Sequence, residues 1–200
     1  MRNAFAQFNA NLTAARHLGE LSKMVDSLTK GALDVSDMLR AELVFSVSAL
    51  DHFIHEICRI GMIEIAKNSR AKTDGYLKYQ LPIRATELAI AGVPPEVWVS
   101  DAVRERHSWQ SFQDPDKVAD AIRLISSKKL WDEVAGILGM TAGDVKITLK
   151  LIVDRRNKIA HEADMDPSNP GGKWPISTAM VDNAVGFIER VGASIYKVVM

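Results

Sequence analysis

Apolar residues recur at three- and four-residue steps along most of the chain, which is the spacing of amphipathic helices. Two long stretches of this kind cover residues 3–30 and 35–67. Two more follow near the C-terminus, over 142–163 and 177–199. No alternating run is long enough to require a strand, so we predict an all-α fold built on four long helices.

The middle of the chain, residues 70–140, has a more interrupted pattern. Asp114-Pro115 is typical of a helix N-cap followed by proline in the first turn, and it predicts a helix over 115–126. A second short helix is predicted over 130–138, with Gly139 as its end. We interpret this region as a set of short helices inserted into a larger bundle.

The predicted architecture is a single domain, residues 1–200, in which long N- and C-terminal helices form a helical bundle around the 70–140 insert. Thr141 or Asp144 is expected to cap the third long helix. A Pro- and Gly-rich loop, 166–172, is expected to separate it from the last one.

The charge balance limits the classes of function. Lys plus Arg total 25 and Asp plus Glu total 25, so the formal net charge is zero. This composition argues against a protein that holds nucleic acid by an overall basic charge. Any polyanion must therefore be met by a local cluster of cations.

Cysteine content and hydropathy point to a cytoplasmic protein. Cys58 is the single cysteine, which excludes an internal disulfide and a Cys-rich zinc site. No apolar run reaches the roughly 18 to 20 residues of a membrane span. The chain also lacks a Gly-rich phosphate loop, a serine elbow and a dinucleotide fingerprint, so we expect no cofactor.

The candidate chemistry lies late in the third long helix, in the segment Arg156-Asn157-Lys158-Ile159-Ala160-His161. At about 100° per residue, Arg156 falls at the centre of the apolar face, where a lone guanidinium is costly. Asn157 and His161 lie about 100° and 140° away, on one flank. One helix can thus present a fixed positive charge, an amide and an imidazole together.

Structural roles for these residues remain open from the spacing alone. Arg156 can extend from the edge of the core towards solvent, or pair with an acid of the second helix. His161 can be a histidine favoured at a helix C-terminus by the helix dipole.

The same residues resemble the HEPN superfamily, whose signature is an arginine, four to six residues beginning with a polar one, and a histidine. Arg156 and His161 match its four-residue version, with Asn157 in the polar position. The second helix, around 42–56, is similar to the early long helix of the family, and the RiboL-PSP-HEPN group is the nearest likeness. The resemblance covers about half the chain and leaves the 70–140 insert unmatched.

The resemblance implies a metal-independent endoribonuclease with a toxin-like or antiviral defence role. Its partners would be an RNA substrate, a second copy of the chain in a homodimer and an antitoxin or other regulatory protein. The 2′-OH of RNA would attack the phosphate, with His161 moving the proton and Arg156 stabilising the phosphate charge. The alternative is a catalytically inactive HEPN-like binding or scaffold module, and a third is an unrelated helical regulator.

A supporting acid on the second helix is a further expectation. Asp51 lies at the edge of the apolar stripe, where it can pair with Arg156 or, four residues along, with His55. Glu42 is the other candidate, on the opposite edge.

Three other features have a structural and a functional interpretation. His52 and His55 are three apart but lack the zincin pattern, so surface histidines are favoured over a metal site. Residues 104–109 combine arginines with Trp109. They could form a binding site for single-stranded RNA. The preferred interpretation is a solvated helix face with one tryptophan in the core. Cys58 is expected to be a buried thiol rather than a nucleophile.

Overall fold

The computed structural model describes residues 1–200 and is all-helical, as predicted. Its only extended pairing is an isolated bridge between Met165 and Lys173. The helices are α1 Arg2–Thr29, α2 Ser36–Ala66, α3 Asp74–Leu77, α4 Ile83–Ile90, α5 Pro95–His107, α6 Pro115–Arg123, α7 Leu130–Leu138, α8 Ala142–Glu162 and α9 Thr178–Val199.

Local capping chemistry sets several of these ends. Asp114 accepts hydrogen bonds from the amides of Asp116 and Lys117 at the start of α6. Thr141 accepts one from the amide of Asp144 at the start of α8. Gly139 ends α7 in the left-handed region, at φ 66°. These positions agree with the predicted caps because capping depends on residues a few positions apart.

Helix α2 is the central element, and it packs against α1, α5, α6, α8 and α9. The rings of Phe8 on α1 and Phe53 on α2 lie 5.0 Å apart, centre to centre. Gly192 of α9 lies so close to Phe8 that a Cβ there would overlap the ring. Small residues therefore let α1 and α9 approach each other closely beside α2.

The middle region shares the core of the long helices. Phe112, Ile122, Ile125 and Trp131 belong to the same cluster of buried apolar side chains as Phe53. The indole nitrogen of Trp131 donates to the carbonyl oxygen of Pro115, which satisfies its one polar atom. The insert is thus packed onto the long helices.

The three- and four-residue spacing predicts an apolar stripe on α1 that includes Phe8, Leu12, Ala15, Leu21 and Leu28, and only its first half is buried. Phe8, Leu12 and Ala15 are buried, whereas Leu21 and Leu28 are exposed. In the second half of α1 the buried residues are instead the smaller Gly19 and Ser22. Gly19 faces α2, where it lies against Glu42.

Phe45 of α2 lies beside α1 and is 56% exposed. Together with Leu21 and Leu28 of α1 it forms an exposed apolar surface. It lines an open groove of about 430 Å³ with Ala14, Leu18 and Ala49. No helix combines the length and apolar character needed to cross a membrane.

Candidate functional site

The last two turns of α8 carry Arg156, Asn157 and His161. Upstream, Val145, Leu149 and Val153 of the same helix are buried. Arg156 and Asn157 are partly buried, and His161 is exposed in the last turn. The helix thus changes from a core element to a surface element where the motif begins.

Arg156 lacks an acidic partner. Its Nη1 donates to the Asn157 side-chain oxygen at 3.1 Å, and its Nε is buried without a partner. The other buried or partly buried arginines each lie within hydrogen-bond distance of a carboxylate; they are Arg16, Arg40, Arg59, Arg70 and Arg155. The positive charge of Arg156 is therefore uncompensated by any ion pair.

Of the two pairings open to Asp51, the one with Arg156 does not form. The Asp51 carboxylate accepts a hydrogen bond from the Phe112 amide at 2.5 Å and lies 3.8 Å from Nε2 of His55. Near the start of α2, Arg40 shares a carboxylate with Arg155, the neighbour of Arg156. Eleven residues separate Arg40 from Asp51, a rise of about 16 Å along the helix. Asp51 therefore lies about three helical turns along α2 from Arg40, the residue that shares a carboxylate with the neighbour of Arg156.

The other candidate acid, Glu42, faces α1. A Cβ at Gly19 would overlap its carboxylate, so the missing side chain leaves room for it. Its Oε2 is buried without a hydrogen-bond partner. Burial, and after it the nearby Asp182 carboxylate, raises the pKa of Glu42 to about 7.

A buried charge cluster lies beside the motif, at the end of α8. Asp164 is fully buried, and one of its oxygens accepts from Arg40 Nε at 2.7 Å and from Arg155 Nη2 at 2.8 Å. Both guanidiniums also donate to the carbonyl oxygen of Trp174. No local spacing in the sequence predicts this cluster, because Arg40 and Asp164 lie 124 residues apart in the chain.

A second polar cluster connects α2 with the insert. The His107 ring is buried, 5.1 Å from the Phe112 ring and 6.1 Å from the His55 ring, centre to centre. Its Nδ1 has no partner. No group of three or more histidine, cysteine or acidic side chains in the molecule is placed to hold a metal ion.

The expectation that Trp109 belongs to the core is wrong. Its side chain is 77% exposed, in the turn that follows α5. Arg104 and Arg106 are exposed in the preceding helical turn. Arg106 lies over the Tyr79 ring, with its guanidinium carbon 4.9 Å from the ring centre. An aromatic face and two cations are therefore available to solvent on this side of the molecule.

Cys58 is buried, as predicted for a structural thiol. Its sulfur lies 3.5 Å from the carbonyl oxygen of Ala121, and burial raises its pKa to about 12. The reactive thiolate form is thus strongly disfavoured.

Comparisons with known proteins add no relative. The sequence matches no protein-family model and no curated protein, and the fold matches no solved structure.

Proposed function

We propose that the protein is a metal-independent endoribonuclease that acts as a homodimer in the cytoplasm, in a toxin-like or antiviral defence role. The observation that supports this most directly is the unpaired Arg156. It lies next to Asn157 and five residues before His161 on the same helix. A partly buried guanidinium with no carboxylate beside it suits an anion supplied from outside, and a phosphate diester is such an anion.

The reaction follows from what these groups can do. The 2′-oxygen of a ribose attacks the adjacent phosphorus, and the bond from phosphorus to the 5′-oxygen breaks. An imidazole takes the 2′-OH proton, and an acid returns a proton to the departing 5′-oxygen. Arg156 stabilises the charge that builds on the non-bridging oxygens. The products are a 2′,3′-cyclic phosphate and a 5′-OH end.

A second copy of the chain would supply the second imidazole. Phe45 and the exposed apolar side chains of α1, Leu21 and Leu28, support an association of this kind. Large exposed apolar side chains grouped on one face are typical of interaction surfaces. An antitoxin or other regulatory protein would be the partner that inhibits the nuclease.

Trp109 offers a contact for the RNA strand. An exposed indole stacks on any base, and arginines beside it attract the phosphate backbone. Arg104 and Arg106 are the arginines in question. The interpretation of 104–109 as an RNA grip is accordingly preferred to the structural one.

Labelled single-stranded RNA incubated with the protein in EDTA tests the proposal. We expect cleavage that leaves cyclic phosphate ends and falls by about 100-fold or more in His161→Ala and Arg156→Ala. Arg84→Ala is the matched control, because Arg84 is an exposed arginine on α4, a helix that carries none of the proposed site or dimer residues. Cleavage that survives in both site variants would disprove the assignment.

The alternative is a catalytically inactive HEPN-like binding or scaffold module. It is favoured by the positions of Asp51 and Glu42, since neither acid contacts Arg156 to orient it. The same assay separates the two functions: RNA binding that depends on Arg156, without cleavage, supports the binding module. A dimer that neither binds nor cleaves RNA would instead support an unrelated helical regulator.

A further inference from the structure

The loop that follows α8 is held against two helices by a single carboxylate. Asp164 is fully buried, and one of its carboxylate oxygens accepts hydrogen bonds from Arg40 of α2 and from Arg155 of α8. Arg40 is itself fixed by Ser36, whose hydroxyl oxygen accepts from Nη1 at 2.6 Å. A buried carboxylate shared by two arginines is a short, directional connection between elements.

The backbone around Asp164 depends on that connection. Ala163 and Asp164 both adopt the left-handed region, at φ 51° and 59°, which is unfavourable for residues with a Cβ. The Asp164 amide donates to the carbonyl oxygen of Lys158, and the Trp174 amide donates to the carbonyl oxygen of Asp164. The end of α8 and the return of the loop are thus fixed at one residue.

The same carboxylate also distinguishes two neighbouring arginines. Arg155 pairs with Asp164, which it shares with Arg40, and it also donates to the carbonyl oxygens of Trp174 and Pro175. Arg156, the next residue, has no acid. Without Asp164, the Arg155 guanidinium would be a second uncompensated charge within one residue of the motif.

We propose that Asp164 is a positioning residue for the Arg156–His161 site. It fixes the last turn of α8, which carries His161, and it holds Arg155 so that Arg156 alone meets the phosphate. It acts through Arg155 and the helix end, without touching the substrate. The catalytic part of this inference rests on the proposed nuclease function, whereas the positioning of His161 does not.

Asp164→Asn tests the inference because it keeps the shape of the side chain and removes its charge. We expect the amides of Asp164 and Trp174 to exchange hydrogen about tenfold faster than in the unchanged protein. The imidazole NMR signals of His161, assigned with His161→Gln, should shift in position. Asp166→Asn is the matched control, since Asp166 lies in the same loop and bonds only within it.

Arg155→Met provides a second variant if Asp164→Asn does not fold, because it leaves the pair of Arg40 and Asp164 in place and removes the link from α8 to Asp164. It frees no charge, so it tests the fixing of the helix end alone. It should shift the His161 signals in the same way. In cleavage assays, both variants should lower kcat by about tenfold or more with little change in KM.

The outcomes separate the two proposals. Unchanged His161 signals in the folded variants, with loss of thermal stability alone, would overturn the positioning role. Shifted signals in a protein that never cuts RNA would uphold positioning and disprove the nuclease.

Discussion

His107 shows how burial controls a titratable side chain in this molecule. It is 4% exposed, between α2 and the insert, and its Nδ1 has no partner. Burial, and after it the charges of His55 and Arg106, lowers the pKa of His107 to about 4. The folded protein therefore holds this imidazole neutral at pH values where an unfolded chain would protonate it.

Acid should destabilise the protein through His107. The folded-state pKa of about 4 lies below the ordinary value of 6.5, so the stabilisation is present above pH 6.5 and is lost as the pH falls towards 4. The loss should reach up to about 3 kcal/mol in the free energy of unfolding. Urea denaturation between pH 7 and pH 4 measures it.

His107→Phe is the corresponding variant, because it retains a ring against Phe112 and cannot take a proton. We expect a flatter dependence of stability on pH than in the unchanged protein. An identical slope in both proteins would show that another group causes the acid sensitivity.

At the scale of the elements, Glu42 places a carboxyl in the interface between α1 and α2. It lies over Gly19, among the opposing charges of Lys23, Arg16 and Asp182. Its raised pKa of about 7 means that the charged form is unfavourable in the fold. The packing of the two longest helices thus includes a group that resists ionisation.

Glu42→Gln should stabilise the protein at alkaline pH. The folded-state pKa lies above the ordinary value of 4.5, so the contribution of Glu42 is favourable at low pH and is lost as the pH rises through 7. An amide of the same size has no charge to bury, and we expect a gain of up to about 3 kcal/mol at pH 8.5. Denaturation at pH 5 and pH 8.5 provides the comparison, and an equal effect at both values would contradict the prediction.

The elements themselves could be predicted well from the sequence. The ends of α6, α7 and α8 are fixed by caps, and capping involves residues within one turn of each other. The burial of α1 could not be predicted as well, because Gly19 and Ser22 replace larger residues on its buried line. Hydrophobic spacing alone favours the larger residues, Leu21 and Leu28, which the fold leaves exposed.

The candidate site could be predicted only where it lies within one helix. Arg156, Asn157 and His161 follow from the 3.6-residue repeat of α8. The distance from Asp51 to Arg156 depends on the relative position of α2 and α8 along their axes. That position is set by packing over the whole bundle. Asp164 depends on a loop that returns to meet Arg40, 124 residues earlier in the chain.

At the scale of the whole molecule, the equal numbers of acidic and basic residues give RNA little general attraction. Binding must then depend on local features such as Arg156 and the exposed indole of Trp109. The salt dependence of RNA binding should accordingly be shallow, since few phosphates are neutralised.

Phe45→Glu should disrupt the proposed homodimer. A charge placed on the exposed apolar surface would have to be buried without a partner on association. Sedimentation at increasing concentration should give twice the 22.1 kDa chain mass for the unchanged protein and the chain mass for the variant. Ile90→Glu, at an exposed apolar position on α4, is the control and should remain dimeric. A native protein that stays monomeric at about 100 μM would refute the dimer.

The chemical inertness of the single thiol has a practical consequence. Because Cys58 is buried and its pKa is raised to about 12, maleimide and other thiol-directed reagents have no reactive thiolate to attack. A cysteine introduced at an exposed position would be the one labelled site in each chain. In a two-fold assembly, spin labels at that introduced cysteine would report a single distance between protomers. The natural sequence is therefore already a suitable background for mapping the quaternary structure by electron paramagnetic resonance.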